Sequence, residues 1–365
     1  MAPVVTRAQV IGSRIRAQQL DREHGSLAQT AVLDIGAQDT GPDGAMWALA
    51  IRGVDVGSLS GDELAKVWTI RGAPHVYRRA DLAAAAAATA PYSDADAGKR
   101  IFDAAKPLKA AGITNLAALD AVAATMREVV TEPTVKGEVS SQVAARMDPP
   151  YLRYCRPCGA THLHEMPFRL AALRAGLELE LGTSPPVLRP IQAFRSATTP
   201  PEAHDLVRAY LRLLGPATPK LVAAYLDAPV HDVSDRWPDE VVEVRVDGEQ
   251  RSLLAGAELT DLDQPRGTRL LGPFDLFLQA RDRPLLVPDP GRAKQLWPRL
   301  GRPGAVLVDG EIVGTWRPRA AGKKLTVVVT PWARLTAAAR RAVGEQAERL
   351  AAFRRATLAS VELDS

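Results

Sequence analysis

Apolar residues recur at helical spacing through much of the chain. Val10, Ile11, Ile15 and Leu20 predict an amphipathic helix within residues 5–21. Ser26 has the chemistry of a cap for a second helix through Leu33 and Ile35. The cluster Gly41-Pro42-Asp43-Gly44 predicts a turn before a third helix over 45–52. Residues 62–68 read as a short helical run, and 70–77 as an irregular strand carrying Gly72 and Pro74. The order then recurs. A helix over 116–130 and a shorter one over 139–147 precede a break at Pro149-Pro150, and a helix over 161–175 ends at Gly176. Residues 177–181 alternate Leu and Glu, the pattern of a half-buried strand, and a Pro-rich turn at 184–186 leads into a second extended run.

The third section is the clearest. Residues 203–214 read as a helix closed by Gly215-Pro216. Thr218 caps a second helix that starts at Pro219, and 229–237 form a third. Residues 241–246 and 249–254 flank Asp247-Gly248, the strongest short signal for a hairpin. Three helices followed by a two-stranded hairpin is the winged-helix order, with a helix-turn-helix across Gly215. Strands are expected at 285–288, 305–308, 311–316 and 325–329, then a closing helix over 336–353. The fold class expected is α+β: tandem winged-helix units at 1–110, 111–200 and 201–260, and a C-terminal β-rich element with its closing helix at 261–365.

Composition narrows the function classes. Of 365 residues, 46% are hydrophobic and 24% charged, which suits a globular chain and excludes disorder, collagen-like repeats and a disulfide scaffold. Two cysteines suggest a reducing compartment. No uncharged apolar run approaches the roughly 20 residues of a membrane helix, and the first residues lack an apolar signal core. The protein is therefore expected to be soluble and cytoplasmic, with the nucleoid as a further location. The net charge of +4 allows a polyanion partner without requiring one, while 5% aromatic residues argue against a base-stacking platform. No Walker loop and no GxGxxG fingerprint occur, so no cofactor is expected.

Three segments carry a family resemblance. They are Leu271-Gly272-Pro273-Phe274-Asp275 with Arg281-Asp282-Arg283, Val308-Asp309-Gly310-Glu311-Ile312-Val313-Gly314-Thr315-Trp316-Arg317, and Trp68-Thr69-Ile70-Arg71-Gly72-Ala73-Pro74-His75. In order and spacing the chain resembles the winged-helix DNA glycosylases of the AlkZ and YcaQ type over most of its length. The resemblance implies tandem winged helices curved around double-stranded DNA, intact or alkylated, with no membrane partner; the oligomeric state is open and a monomer is favoured. It also implies a Gln-x-Gln or Gln-x-Asp motif that positions water against the sugar of an N7-alkylated purine. Alkylation makes that base a good leaving group, so water and a cationic sugar need orientation and stabilisation more than a strong acid. Here the matching segment is Asp34-Ile35-Gly36-Ala37-Gln38-Asp39-Thr40. Gly36 stands at the first Gln and has no amide to offer; Gln38 and Asp39 are the catalytic candidates. The first expectation is therefore a winged-helix DNA-binding protein, and the alternative a monofunctional glycosylase of N7-alkylated or crosslinked purines.

Arg71 and His75 are candidate DNA contacts, each also readable as structural. So are Arg317, Arg319, Lys323 and Lys324, which fall on a loop expected at 317–324 and would neutralise phosphates. Cys155, Cys158, His162 and His164 offer thiolate and imidazole groups of the kind zinc takes. Against a metal there, the ligands crowd one short stretch, and on a helix His162 and His164 point to different sides.

Overall fold

The computed structural model describes residues 2–257, 259 and 266–364. It mixes helices with four sheets, of six, five, three and two strands. The expected helix order of the third section is present at Leu206–Leu214, Pro219–Leu226 and Val230–Ser234. The hairpin comes next as Val241–Val246 and Glu249–Leu254, turned by Asp247 and Gly248, both at positive φ. The chain start joins this unit: Val4–Val5 runs parallel to Val241–Val246, and the helix Arg7–Ala17, closed at its head by a Thr6–Gln9 capping box, packs on Leu206–Leu214.

The six-stranded sheet has the order Ala37–Gln38, Pro74–Arg78, Leu64–Trp68, Leu177–Leu179, Val187–Pro190, Thr134–Val135. It thus takes strands from both sides of residue 110. We propose the unit limits at 110 and 200 as divisions of chain order only; the limit at 260/261 lies outside the described residues. The five-stranded sheet runs Thr268–Leu271, Gly304–Val308, Glu311–Ala321, Lys324–Pro331, Thr357–Leu363, with only the last pairing parallel. Its first strand meets the helix Ala337–Phe353. That helix buries Val343, Ala347 and Leu350, and Phe353 stands 5.3 Å from Trp47.

Three expectations are corrected. Residues 62–68 hold the strand Leu64–Trp68, buried at all five positions; a strand covered on both faces shows no alternation. The stretch 161–175 divides into the strand Ala160–Leu163, paired with Leu152–Cys155, and the helix Glu165–Arg174. Residues 285–288 belong to the short helix Arg283–Leu286, which carries Pro284 in its first turn. No helix among the described residues is long and apolar enough to cross a membrane.

Buried ion pairs tie the sections together. Arg52 makes a bidentate pair with Asp275 at 2.7 and 2.9 Å, both side chains fully covered, and spends its other donors on the Ala48 and Gln18 carbonyls. Asp282 accepts from Arg14 at 3.0 and 2.7 Å and from Arg251 at 2.5 Å. Those two arginines hold the Asp282 carboxyl below the usual carboxylate range against the opposing effect of burial. The segment 272–283 is thereby fixed to the first helix, to Arg52 and to the hairpin strand Glu249–Leu254.

Breaking a fully covered pair strands a charge. Asp275→Ala is expected to lose about 3–5 kcal/mol in urea unfolding. Arg319→Ala, which removes an exposed pair with Glu362, should cost less than about 1 kcal/mol. Equal losses from the two would refute the assignment.

Candidate active site and nucleic-acid interface

The strand Ala37–Gln38 lies at the edge of the six-stranded sheet, with Gln38 opposite His75. The Gln38 amide donates from Nε2 to Thr40 Oγ1 at 3.0 Å. Its Oε1 accepts from Gln279 Nε2 at 3.1 Å. Gln279 in turn accepts from Arg71 Nη2 at 3.3 Å and donates to the Phe274 carbonyl at 3.3 Å. The result is a directed chain from Arg71 through two amides to Thr40. Gln279 ends a 3₁₀ turn, Leu276–Gln279, whose Phe277 N–H is capped by the Asp275 carboxylate at 3.0 Å. The carboxylate that Arg52 fixes therefore also fixes the second amide.

Gln38 opens onto a cavity of about 210 Å³ walled by Thr40, Phe274, Trp316, Arg302 and Arg317, with Gly41, Gly44, Gly272 and Gly304 contributing backbone. Arg302 lies over the Phe274 ring at 5.2 Å. Beside this mouth four guanidiniums gather: Arg71, Arg281, Arg283 and Arg302. None has a carboxylate within 4.0 Å among the described residues. Burial lowers Arg71 to about 10, and the charges of Arg281 and Arg302 push the same way. Burial and then the neighbouring arginines also lower Arg283 and Arg302. Arg281 Nε is buried with no hydrogen-bond partner. Arg283 stacks on Trp297 at 4.9 Å and Arg71 on Tyr225 at 4.9 Å.

The Trp68–His75 segment explains how Arg71 gets there. Arg71 has φ +57° and Gly72 φ +65°, a left-handed pair that turns the guanidinium toward the Tyr225 carbonyl, to which it donates. Behind the turn, Arg169 donates to the Gly72 carbonyl at 3.1 Å and lies over Trp68. His75 goes the other way. It is 1% exposed, its Nδ1 lies 3.0 Å from Thr69 Oγ1, and it donates to the Ala73 carbonyl at 3.0 Å. Burial, reinforced by the Arg71 charge, lowers it to about 3. His75 is thus a neutral core residue, and the expectation of a DNA contact there is corrected.

Asp39 is also turned away. Its Oδ1 accepts from the Ala45 N–H at 3.0 Å, anchoring the helix Gly44–Ala50, and its Oδ2 lies 3.4 Å from Lys66 Nζ. It does not meet Gln38 in the cavity. Gly36 has φ +90°, and a Cβ there would come 2.4 Å from Tyr77 Cζ. The Tyr77 hydroxyl donates to the Ile35 carbonyl at 3.3 Å and lies 3.1 Å from Thr69 Oγ1. The ring thus occupies the space that a side chain at 36 would need.

Residues 317–324 are hairpin strand rather than loop: strand pairing runs to Ala321 opposite Lys324. Arg317 lines the cavity and donates to the Gly301 carbonyl. Arg319 pairs with Glu362, while Lys323 and Lys324 are exposed. Only Arg317 of these four reaches the Gln38 cavity. Gln279, Arg281, Arg283 and Arg302 are added by the structure: Arg281 and Arg283 lie in a segment that carries the family resemblance, Gln279 is marked only as a polar residue inside the apolar run 276–280, and Arg302 has no local signal.

A family model described as DNA glycosylase AlkZ-like matches residues 32–353. No curated protein matches the chain. The solved structure of the Streptomyces sahachiroi DNA glycosylase AlkZ superposes with a TM-score of 0.74 at 19% identity, covering 99% of this chain and 100% of that one. At that identity the likeness is one of fold.

Two outcomes are expected from this geometry. Gly36→Ala should destabilise by about 1–3 kcal/mol, since both its φ and the Tyr77 ring oppose a Cβ; a variant unfolding at the wild-type midpoint would contradict this. His75 is lowered in the fold, so the unfolded chain takes up its proton first. The stability it contributes is complete above pH 6.5 and declines as pH falls toward 3, at about 1.4 kcal/mol per pH unit from this one group. Urea midpoints measured from pH 7 downward should fall less steeply for His75→Gln than for the wild type.

Proposed function

Because the chain belongs to the AlkZ-like DNA glycosylase family, we propose that it binds duplex DNA across the face carrying Arg71, Arg281, Arg283 and Arg302. The observation that carries this reading is the gathering of four guanidiniums without a carboxylate partner. Like charges held together beside a cavity repel one another, and backbone phosphates are the ligand that relieves the repulsion. Arg317, with Lys323 and Lys324 farther along its hairpin, would extend the contact along the strand. Winged-helix units would then curve around the duplex, and a chromosomal partner would put the protein in the cytoplasm with the nucleoid.

A second reading has its own support. Gln279 meets Gln38 at 3.1 Å and supplies a second amide where Gly36 supplies none. We propose that Gln38, oriented by Gln279 and Thr40, holds water against C1′ of an N7-alkylated purine nucleotide whose base enters the cavity beside Phe274. The base leaves with its bonding electrons, which neutralise its charge; water adds to the sugar and loses a proton to solvent. No strong acid is needed for a base that is already cationic. His75, neutral and buried, takes no part.

Fluorescence anisotropy with a labelled duplex tests the binding that both readings require, and a base-release assay separates them. Binding should weaken steeply between about 50 and 200 mM salt. Arg281→Gln and Arg302→Gln should weaken it further and reduce the slope of log K against log salt by about one each. Indifference to DNA at low salt ends both readings. Release of N7-methylguanine from an alkylated duplex should fall on the order of a hundredfold in Gln38→Ala and fall also in Gln279→Ala. If no alkylated base is released while binding persists, the hydrolytic reading is excluded and DNA binding alone stands.

A further inference from the structure

The strands Leu152–Cys155 and Ala160–Leu163 form a sheet of their own, outside the three larger ones. Their registry pairs Cys155 with Ala160 and Arg153 with His162. Paired residues, and residues two apart on one strand, share a face, so Cys155 and His162 lie on the same side. The connecting turn is Arg156-Pro157-Cys158-Gly159, closed by the Gly159 N–H on the Arg156 carbonyl at 3.2 Å. Gly159 has φ +62°, a left-handed conformation favouring glycine. That turn curls Cys158 back over the hairpin end. The Cys155 and Cys158 sulfurs and an imidazole nitrogen of His162 lie within 4.8 Å of one another.

The objections that the sequence raised therefore disappear. His162 stands on a strand, across from the thiols, and the short spacing is that of a knuckle. His164 is outside the set: it is buried at the head of the helix Glu165–Arg174 and does not belong to the group of donors within 4.8 Å of one another.

We propose that Cys155, Cys158 and His162 bind a zinc ion that pins this hairpin. Sulfur ligands at about 2.3 Å and imidazole nitrogen at about 2.1 Å from a tetrahedral ion stand roughly 3.5–3.8 Å apart. The three donor atoms reach that spacing by drawing in about 1 Å through side-chain torsions, the ligand set being partly exposed. Water takes the fourth position. Binding deprotonates both thiols and releases two protons, with neutral imidazole as the third ligand. An isolated two-stranded hairpin is marginal in water, and this one keeps only Leu163 fully buried along its strands. The ion supplies the missing anchor. It also steadies the adjoining helix Glu165–Arg174, which sends Arg169 to the Gly72 carbonyl and over Trp68, behind the turn that presents Arg71. The ion's role is structural, and the proposal does not depend on the DNA reading.

The test uses tag-free full-length protein prepared without chelators. Elemental analysis should find about one zinc per chain, and Cys155→Ser/Cys158→Ser should carry none. A variant that unfolds would leave that comparison empty, so wild-type protein is also stripped and titrated with cobalt(II). A thiolate-to-cobalt charge-transfer band saturating at one equivalent is expected, together with zinc protection of the two thiols from a disulfide reagent. Zinc content unchanged in the double variant would overturn the site. So would stripped protein whose two free thiols take up neither metal, or a Cys155–Cys158 disulfide in freshly isolated anaerobic protein.

Discussion

Two buried carboxylates seven residues apart hold the segment carrying Gln279, Arg281 and Arg283 in place. Asp275 and Asp282 are covered, and each is neutralised by arginines from distant parts of the chain: Arg52 for the first, Arg14 and Arg251 for the second. Taking such charges out of water costs several kcal/mol per ion, recovered only when geometry and remaining hydrogen bonds are complete. Here they are: the Arg52 guanidinium has carboxylate and carbonyl partners on every side, and Asp275 also caps its own turn. Gln279 lies between the two anchors, and Arg281 and Arg283 flank the second. A segment clamped at both ends can hold an amide, and guanidiniums without carboxylate partners, at fixed positions.

This division of labour clarifies the contribution of each recognisable segment. In Leu271–Asp275 and Arg281–Arg283 the carboxylates are structural, while Arg283 stacks on Trp297 and Arg281 Nε is buried without a partner among the described residues. In Val308–Arg317, Asp309-Gly310 makes a tight turn. Gly314 leaves no room for a side chain because the Thr330 carbonyl would lie 2.6 Å from a Cβ, and Trp316 donates to the Leu271 carbonyl at 2.8 Å. In Trp68–His75 the histidine is core and the arginine is turned toward the Tyr225 carbonyl and Gln279. A residue type with reactive chemistry, such as His75 or Asp39, is here part of the framework, while a glutamine in an apolar run holds the Gln38 amide that lines the cavity.

Where local signals are strong the sequence is readable. The Asp-Gly hairpin and the capped helix at Pro219–Leu226 appear where spacing and turn chemistry predict them. Leu64–Trp68 escapes a pattern-based reading because burial on both faces erases the period of two, and the alanine-rich helix Leu82–Thr89 because alanine carries no amphipathic stripe. The knuckle hairpin resembles a helix in sequence because the polar residues before Met166 look like a helix opening. At the site, Gln38 can be placed from a motif match. Gln279, 241 residues away in sequence, cannot, since its meeting with Gln38 depends on how the C-terminal segment is clamped. The glycine at position 36 is visible in the sequence, but the Tyr77 ring that fills its place is not.

The arginine cluster sets a condition on chemistry at this face. Hydrolysis of an N-glycosidic bond builds positive charge on the sugar, and an N7-alkylated purine brings another. Four guanidiniums with no carboxylate between them would oppose both charges if they stood alone. In low-dielectric surroundings that opposition is stronger than in water. Phosphates reverse the sign: once the backbone is bound, each guanidinium it pairs with ceases to repel the sugar, and the remaining phosphate charge favours it. On the proposed reading, the cluster makes catalysis conditional on backbone engagement. A free alkylated nucleoside, which is cationic and carries no phosphate, meets only repulsion. Substrate length is then read through charge before any contact with the lesion, and the amide pair needs only to orient water in a field that the DNA itself has corrected.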